Sequence, residues 1–162
     1  MPKSKFQKVK EKKRGFSLLE IIVVLAIIGL MAAAIIFPLS SLRNGRLLEA
    51  AADQIVSMLS DARFKTLNSE NASQYGVHFE ANKTVLFKGA SYSSADSYNE
   101  TSILHPVLEI SPVSLNGGGA DVVFQRLTGK TGNYGSVGVR LKDDVSKIKT
   151  ITIKPTGVTD AR

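Results

Sequence analysis

Hydrophobic and polar positions divide the chain into three stretches with different periods. From Ile21 to Phe37 no charged or polar side chain interrupts the run, and Phe16, Leu18 and Leu19 extend it upstream. That reaches the roughly 20 residues a helix needs to span a bilayer's hydrocarbon core. From Leu42 the apolar positions recur at three- and four-residue spacing: Leu47, Leu48, Ala51, Ala52, Ile55, Met58, Leu59, Ala62, Thr66 and Leu67. This predicts an amphipathic helix to about Asn68, with Arg43, Arg46, Glu49, Asp53, Ser57, Asp61 and Lys65 on its other face. Joined end to end, the two stretches make one helix about 75 Å long at about 1.5 Å per residue. Pro38 lacks an amide donor and is expected to bend or loosen it, and Gly45 is a weak point between its halves.

From Gln74 the period becomes two. Val77 and Phe79, then Val85 and Phe87, with Ala81-Asn82 between them, predict a hairpin. A polar loop follows over 89–102, and further strands are expected at Ile103–Ile110, Asp121–Arg126, Ser136–Lys142 and Lys149–Lys154. Val122, Phe124, Val137, Val139, Leu141, Ile151 and Ile153 are the inward candidates. An antiparallel sheet packed on the amphipathic helix gives an α+β head.

Charge alters this picture less than the total of +7 suggests. Residues 1–15 carry seven Lys or Arg and one acid, and the other 147 residues carry 14 basic and 13 acidic side chains. The basic pI therefore describes a leader, and the remainder has no bulk pull on nucleic acid. Basic residues ahead of an apolar helix hold the amino terminus on the cytoplasmic side, which puts residues from 39 onward outside that membrane. There is no cysteine, so disulfides, thiolate-bound zinc and a thiol nucleophile are excluded.

One acid, Glu20, sits near the start of the apolar run. A carboxylate at the centre of a membrane helix costs on the order of 3 kcal/mol, so it needs a partner or a function. An ordinary secretory signal is cut after its apolar region. Here Gly15 lies before it, and a cut there removes only the basic peptide. The segment from Arg14 to Gly29, Arg-Gly-Phe-Ser-Leu-Leu-Glu followed by the apolar run, resembles the class III signal of type IV prepilins and type II secretion pseudopilins. The resemblance implies a prepilin peptidase cutting between Gly15 and Phe16 and methylating the new amine of Phe16. It also implies that Glu20 neutralises the amino terminus of a neighbouring subunit during filament assembly, and that Pro38 is the helix kink. Burial penalises a lone carboxylate, whereas an ammonium partner in an apolar bundle rescues it. Ala26, Gly29, Ala32, Ala33 and Ala34 would let such helices approach closely.

Three further stretches resemble the GspH/FimT family. They are Leu59–Thr66 on the helix, Val123–Gly129 with the strand Ser136–Leu141 after it, and Ile151–Val158 near the end. Phe124 and Gly129 are one residue further apart than in that family's Phe-x-x-x-Gly pattern. The implied organisation is a leader (1–15), a membrane and filament-core helix (16–38), an amphipathic continuation (39–70) and a β-rich head (71–162). The implied partners are the peptidase, other pilin or pseudopilin subunits and the inner membrane.

His78 and His105 have no metal-ligand partner at helical or hairpin spacing, and His78, between Val77 and Phe79, is expected to face solvent. No nucleophile elbow, catalytic triad or carboxylate pair can be assembled, so neither an enzyme nor a cofactor is predicted. Gly117-Gly118-Gly119 lacks the Gly-Lys-Ser/Thr of a phosphate loop and reads as a turn. Asp121, Asp143 and Asp144 lack a calcium ligand ladder, so no metal is expected. DNA-uptake members of the FimT-like group use a basic Gly-Arg-x-Arg motif, but this chain has Val158 and Asp160 where the arginines would stand. Lys147, Lys149, Lys154 and Arg162 are the remaining candidates for DNA contact, and the same lysines also suit a solvated strand edge. The expectation is a non-enzymatic minor pilin or pseudopilin, with a DNA-binding minor pilin or a monomeric membrane-anchored domain as alternatives.

Overall fold

A computed structural model describes residues 15–162, with side chains described except over 34–42. The leader residues Lys3 to Arg14 lie outside it. The chain forms two compact units, Met1–Ser40 and Ser41–Arg162. Helix α1, Leu18–Leu67, begins in the first and ends in the second, and is a single helical element through Pro38 and Gly45. The division between the units falls about a turn before Gly45.

In the first unit, Ser17 starts the helix: its carbonyl accepts from the Glu20 and Ile21 amides at 3.0 and 3.3 Å. Every described side chain of this unit is exposed, Ile22 at 56%, Leu25 at 62% and Leu30 at 74%. The apolar part with described side chains, Leu18 to Ala33, is about 24 Å long at about 1.5 Å per residue, against a hydrocarbon core of about 30 Å. Among the described residues no helix is long and apolar enough to cross a membrane. Ala34 to Phe37, which complete the apolar run in sequence, lie outside the described side chains.

In the second unit, Leu48, Ala51, Ala52, Ile55, Leu59, Ala62 and Thr66 are buried, on the face their spacing predicts. Glu49, Asp53 and Asp61 are exposed. Burial of a side chain such as Leu59 contributes about 2 to 3 kcal/mol. The helix stops at Leu67 because Ser69, Asn71 and Ala72 take positive φ, with a short 3-10 turn at Glu70–Ala72. Buried Thr66 ties this end to the sheet: its hydroxyl donates to the Ala62 carbonyl and accepts from the Tyr75 amide, both at 2.8 Å.

Eight strands follow: β1 Tyr75–Glu80, β2 Lys83–Lys88, β3 Glu100–Ile103, β4 Leu108–Leu115, β5 Asp121–Val123, β6 Gly135–Leu141, β7 Ile148–Ile153 and β8 Thr159–Ala161. The α+β class and the antiparallel pairing match expectation, but there are two four-stranded sheets, in the orders β3-β2-β1-β5 and β4-β6-β7-β8. The strand expected over Ile103–Ile110 is in fact two strands, one in each sheet. Pro106 offers no amide to a ladder and restricts His105, and the Leu108 amide closes a turn onto the His105 carbonyl at 2.8 Å. The chain thus leaves one sheet at Ile103 and enters the other at Leu108. β4 then continues past Ile110 through a bulge at Ser111-Pro112, opposite Gly138. A Cβ on Gly138 would lie 2.8 Å from the Ser111 carbonyl and 2.9 Å from Pro112, so only glycine leaves room for the bulge.

All seven inward candidates are buried, and together with the α1 face they form one core drawn from both sheets. The hairpin has the expected turn, but its register opposes Val77 to Leu86 and His78 to Val85. Leu86 therefore shares the core face with Val77 and Phe79. Val85 and Phe87 point to the opposite face, and are buried there as well. Tyr92, from the polar loop, approaches Phe87 at 5.8 Å between ring centroids, so the loop covers the outer face of this sheet.

Candidate functional site

The first candidate lies at the start of α1. Gly15, Phe16 and Ser17 precede the helix and belong to no regular element. Phe16 is 80% exposed, and among the described residues beyond its chain neighbours nothing lies within 4 Å of where a Cβ on Gly15 would be. The Gly15–Phe16 peptide thus lies outside the helix and is not covered by any of the described residues. Glu20 is exposed in the first turn of α1. An acid there interacts favourably with the helix dipole, by about 0.3 to 1 kcal/mol. This accounts for an acid near the helix start, and the apolar side chains around it are what make the position unusual. Pro38 lies within the helical backbone, but its side chain is outside those described.

The second candidate is where α1 ends. Three stretches distant in sequence, around Arg63, Gly129 and Gly157, meet here. Arg63 of α1 donates through Nε to the Gly129 carbonyl at 3.2 Å. Gly129 and Gly157 both have positive φ, +61° and +79°. A Cβ on Gly157 would lie 1.9 Å from the Gly129 carbonyl oxygen and 2.9 Å from Arg63 Nε. The two glycine turns thus close on the guanidinium because neither carries a side chain. The Thr131 amide joins the same turns by donating to the Pro155 carbonyl at 3.1 Å. Beside this clamp runs a groove of about 410 Å³, lined by Asp61, Arg63, Phe64 and Leu67 on the helix and Val158 and Thr159 on the other wall. Neither the clamp nor the groove was predicted. The only signal was the pairing of two distant glycine turns with an arginine on a predicted helix.

Of the four basic residues named for DNA contact, two face an acid. Lys147 faces Asp144 at 3.8 Å, and Arg162 faces Asp160 at 3.3 Å. Lys149, on β7, is half-buried, and Lys154 is exposed just after it. Asp144 is used locally: the Ser146 hydroxyl and amide donate to it at 2.5 and 3.2 Å. The hydroxyl bond, more than Lys147, holds its carboxyl below the ordinary value of 3.8.

His78 departs from its expected solvent-facing role. It is half-buried, stacked on Tyr92 with ring centroids 4.0 Å apart, and its Nδ1 lies 2.5 Å from Asp121. The polar loop is shorter than the expected 89–102, because β3 begins at Glu100, and its Tyr92 lies against the sheet and covers the ring. Asp121 thus faces a histidine, and Asp143-Asp144 lie in the connection between β6 and β7. Among the described residues no group of three or more His, Asp or Glu side chains is arranged to hold a metal ion.

Known proteins resemble the chain at both places, in sequence at the start of α1 and in fold over the head. Residues 10–36 match the family model described as the prokaryotic N-terminal methylation motif. The structure resembles the type IV minor pilin FimU of Pseudomonas aeruginosa, with a TM-score of 0.55 and 13% identity over 71% of this chain and 92% of that one. It also resembles the minor pseudopilin EpsH of the type 2 secretion system of Vibrio cholerae, with a TM-score of 0.53 and 10% identity over 71% and 95%. No curated protein sequence matches the chain significantly.

Proposed function

We propose that the chain is a non-enzymatic minor pilin or pseudopilin of the GspH/FimT type, inserted in the inner membrane and then assembled into a type IV pilus or type II secretion pseudopilus. Prepilin peptidase cuts between Gly15 and Phe16 and methylates Phe16. The apolar part of α1, completed by Ala34 to Phe37, is first a membrane span and then packs among the helices of other subunits, with Pro38 bending it near the membrane edge. Glu20 pairs there with the amine of a neighbouring Phe16, where an unpaired carboxylate would be penalised. The head, 71–162, stays outside the membrane, carried on the amphipathic part of the helix.

The observation that carries this proposal is the exposure of every described apolar side chain from Phe16 to Ala33, directly after a Gly15–Phe16 peptide that lies outside the helix. A surface this apolar calls for lipid or other helices to cover it. Mass spectrometry of the protein from cells with an active prepilin peptidase should find a chain starting at methylated Phe16. An intact leader would refute the pilin assignment and favour a monomeric membrane-anchored domain. The DNA-binding alternative is not adopted, because Lys147 and Arg162 are each balanced by a neighbouring acid.

A further inference from the structure

His78 and Glu80 stand two residues apart on β1, a spacing that puts both side chains on the outer face of their sheet. Asp121 of β5 lies opposite His78 in the ladder, with its carboxylate 2.5 Å from Nδ1. An ionised carboxylate only accepts hydrogen bonds, so Nδ1 carries the ring proton and donates it. In the neutral ring Nε2 therefore presents its lone pair, and it faces Glu80 Oε1 at 3.8 Å. Two electron-pair donors thus face each other across a gap too long for a hydrogen bond. Asp121 and Tyr92, whose ring is stacked on the imidazole at 4.0 Å, hold His78 in that orientation. Neither His78 nor Glu80 is fully buried, which leaves the pair within reach of solvent.

We propose that His78 Nε2 and Glu80 form a two-ligand site for a divalent first-row metal ion of the zinc class, with water in the remaining positions and Asp121 orienting the ring. A metal-bound histidine characteristically donates its other N–H to a carboxylate, which fixes the ring and raises the basicity of the ligand nitrogen, and Asp121 already does this. Imidazole with carboxylate suits zinc, copper and nickel, whereas magnesium and calcium take oxygen ligands. Zinc binds nitrogen and carboxylate oxygen at about 2.1 Å, so an ion between atoms 3.8 Å apart would subtend about 130°. A movement of about 0.4 Å by the Glu80 carboxylate brings the tetrahedral angle. With two protein ligands the site is more open than a group of three, none of which occurs among the described residues. The neighbouring charges act in both directions: Asp121 and Glu80 favour a cation, and Lys83, 3.1 Å from the same Glu80 oxygen, competes for it. Lys83 opens β2 and has a flexible side chain that can turn to solvent when an ion arrives.

The test titrates Zn2+ into the full chain in detergent micelles and follows the ring nitrogens of both histidines by NMR. His78 Nε2 should shift on coordination while Nδ1 keeps its proton, and His105, which is exposed, should not respond at the same zinc concentration. Asp121→Asn should weaken binding about tenfold, and Glu80→Gln, which removes a ligand, should weaken it further. Lys83→Met should tighten it severalfold, an effect that damage to the fold could not produce. Mg2+ in place of Zn2+ should leave both rings unchanged. The proposal is overturned by the absence of a His78 shift at millimolar Zn2+, by an equal response of His105, or by Lys83→Met binding zinc no more tightly than the wild type.

Discussion

Leu25 and Leu59 lie on the same helix, yet the first is 62% exposed and the second is completely buried. The residues around Leu25 are apolar on every side. Those around Leu59 are apolar on one face and charged on the other. A helix with one apolar stripe can satisfy it within its own chain, and the head does so with both sheets. A helix apolar all round needs partners on all sides, which no single small head provides. Sequence pattern alone thus separates the part of α1 that packs in the core of the head from the part whose apolar side chains are exposed among the described residues.

This contrast can be broken by substitution. Leu59→Ala should cost the head about 3 kcal/mol, seen as a lower denaturant midpoint for the full chain in micelles. Gly157→Ala should cost about 2 kcal/mol, since it combines a positive φ with a Cβ 1.9 Å from the Gly129 carbonyl. Its thermal midpoint should fall well below that of the wild type, and an unchanged midpoint would mean that the two turns do not close on Arg63. Leu25→Ala should change the same head stability by less than about 0.5 kcal/mol. A loss comparable to that of Leu59→Ala would erase the distinction between the two halves.

Two charged groups give smaller, pH-dependent effects of opposite sign. The Asp144 carboxyl is held below 3.8, so its contribution is present above that value and is lost as pH falls through the lower folded value. Lys65 is raised above 10.5 by its hydrogen bond to Glu100, so its contribution is present below 10.5 and is lost as pH rises through the higher folded value. Unfolding midpoints measured across pH should therefore show Asp144→Asn flattening only the acid limb and Glu100→Gln only the alkaline one. Both groups are largely solvated, so each effect should be small.

The long helix, its buried stripe, the first hairpin's turn and the inward residues of β5 to β7 were all legible in the sequence, because each follows from local period. What was not legible depended on pairing between distant segments. Period two over Ile103 to Ile110 cannot reveal that Pro106 hands the chain from one sheet to another. Thr159-Asp160-Ala161 has no apolar alternation, and β8 exists only because β7 supplies its ladder. Phe87 follows the same alternation as Phe79, yet the hairpin register puts it on the outer face, where Tyr92 helps to cover it. Among the candidate sites, Gly15, Phe16 and Glu20 were identified by a contiguous motif. The Arg63 clamp needed three separate stretches to be brought together in space.

Glu20 tests the central claim most directly, because it is the charged residue in the part of α1 that has no cover among the described residues. Glu20→Ala should leave leader removal, membrane insertion and head stability unchanged while filaments isolated from the cells lack the subunit. Incorporation of Glu20→Ala at the wild-type level, with methylated Phe16 confirmed on the same sample, would contradict assembly through a Glu20–amine pair.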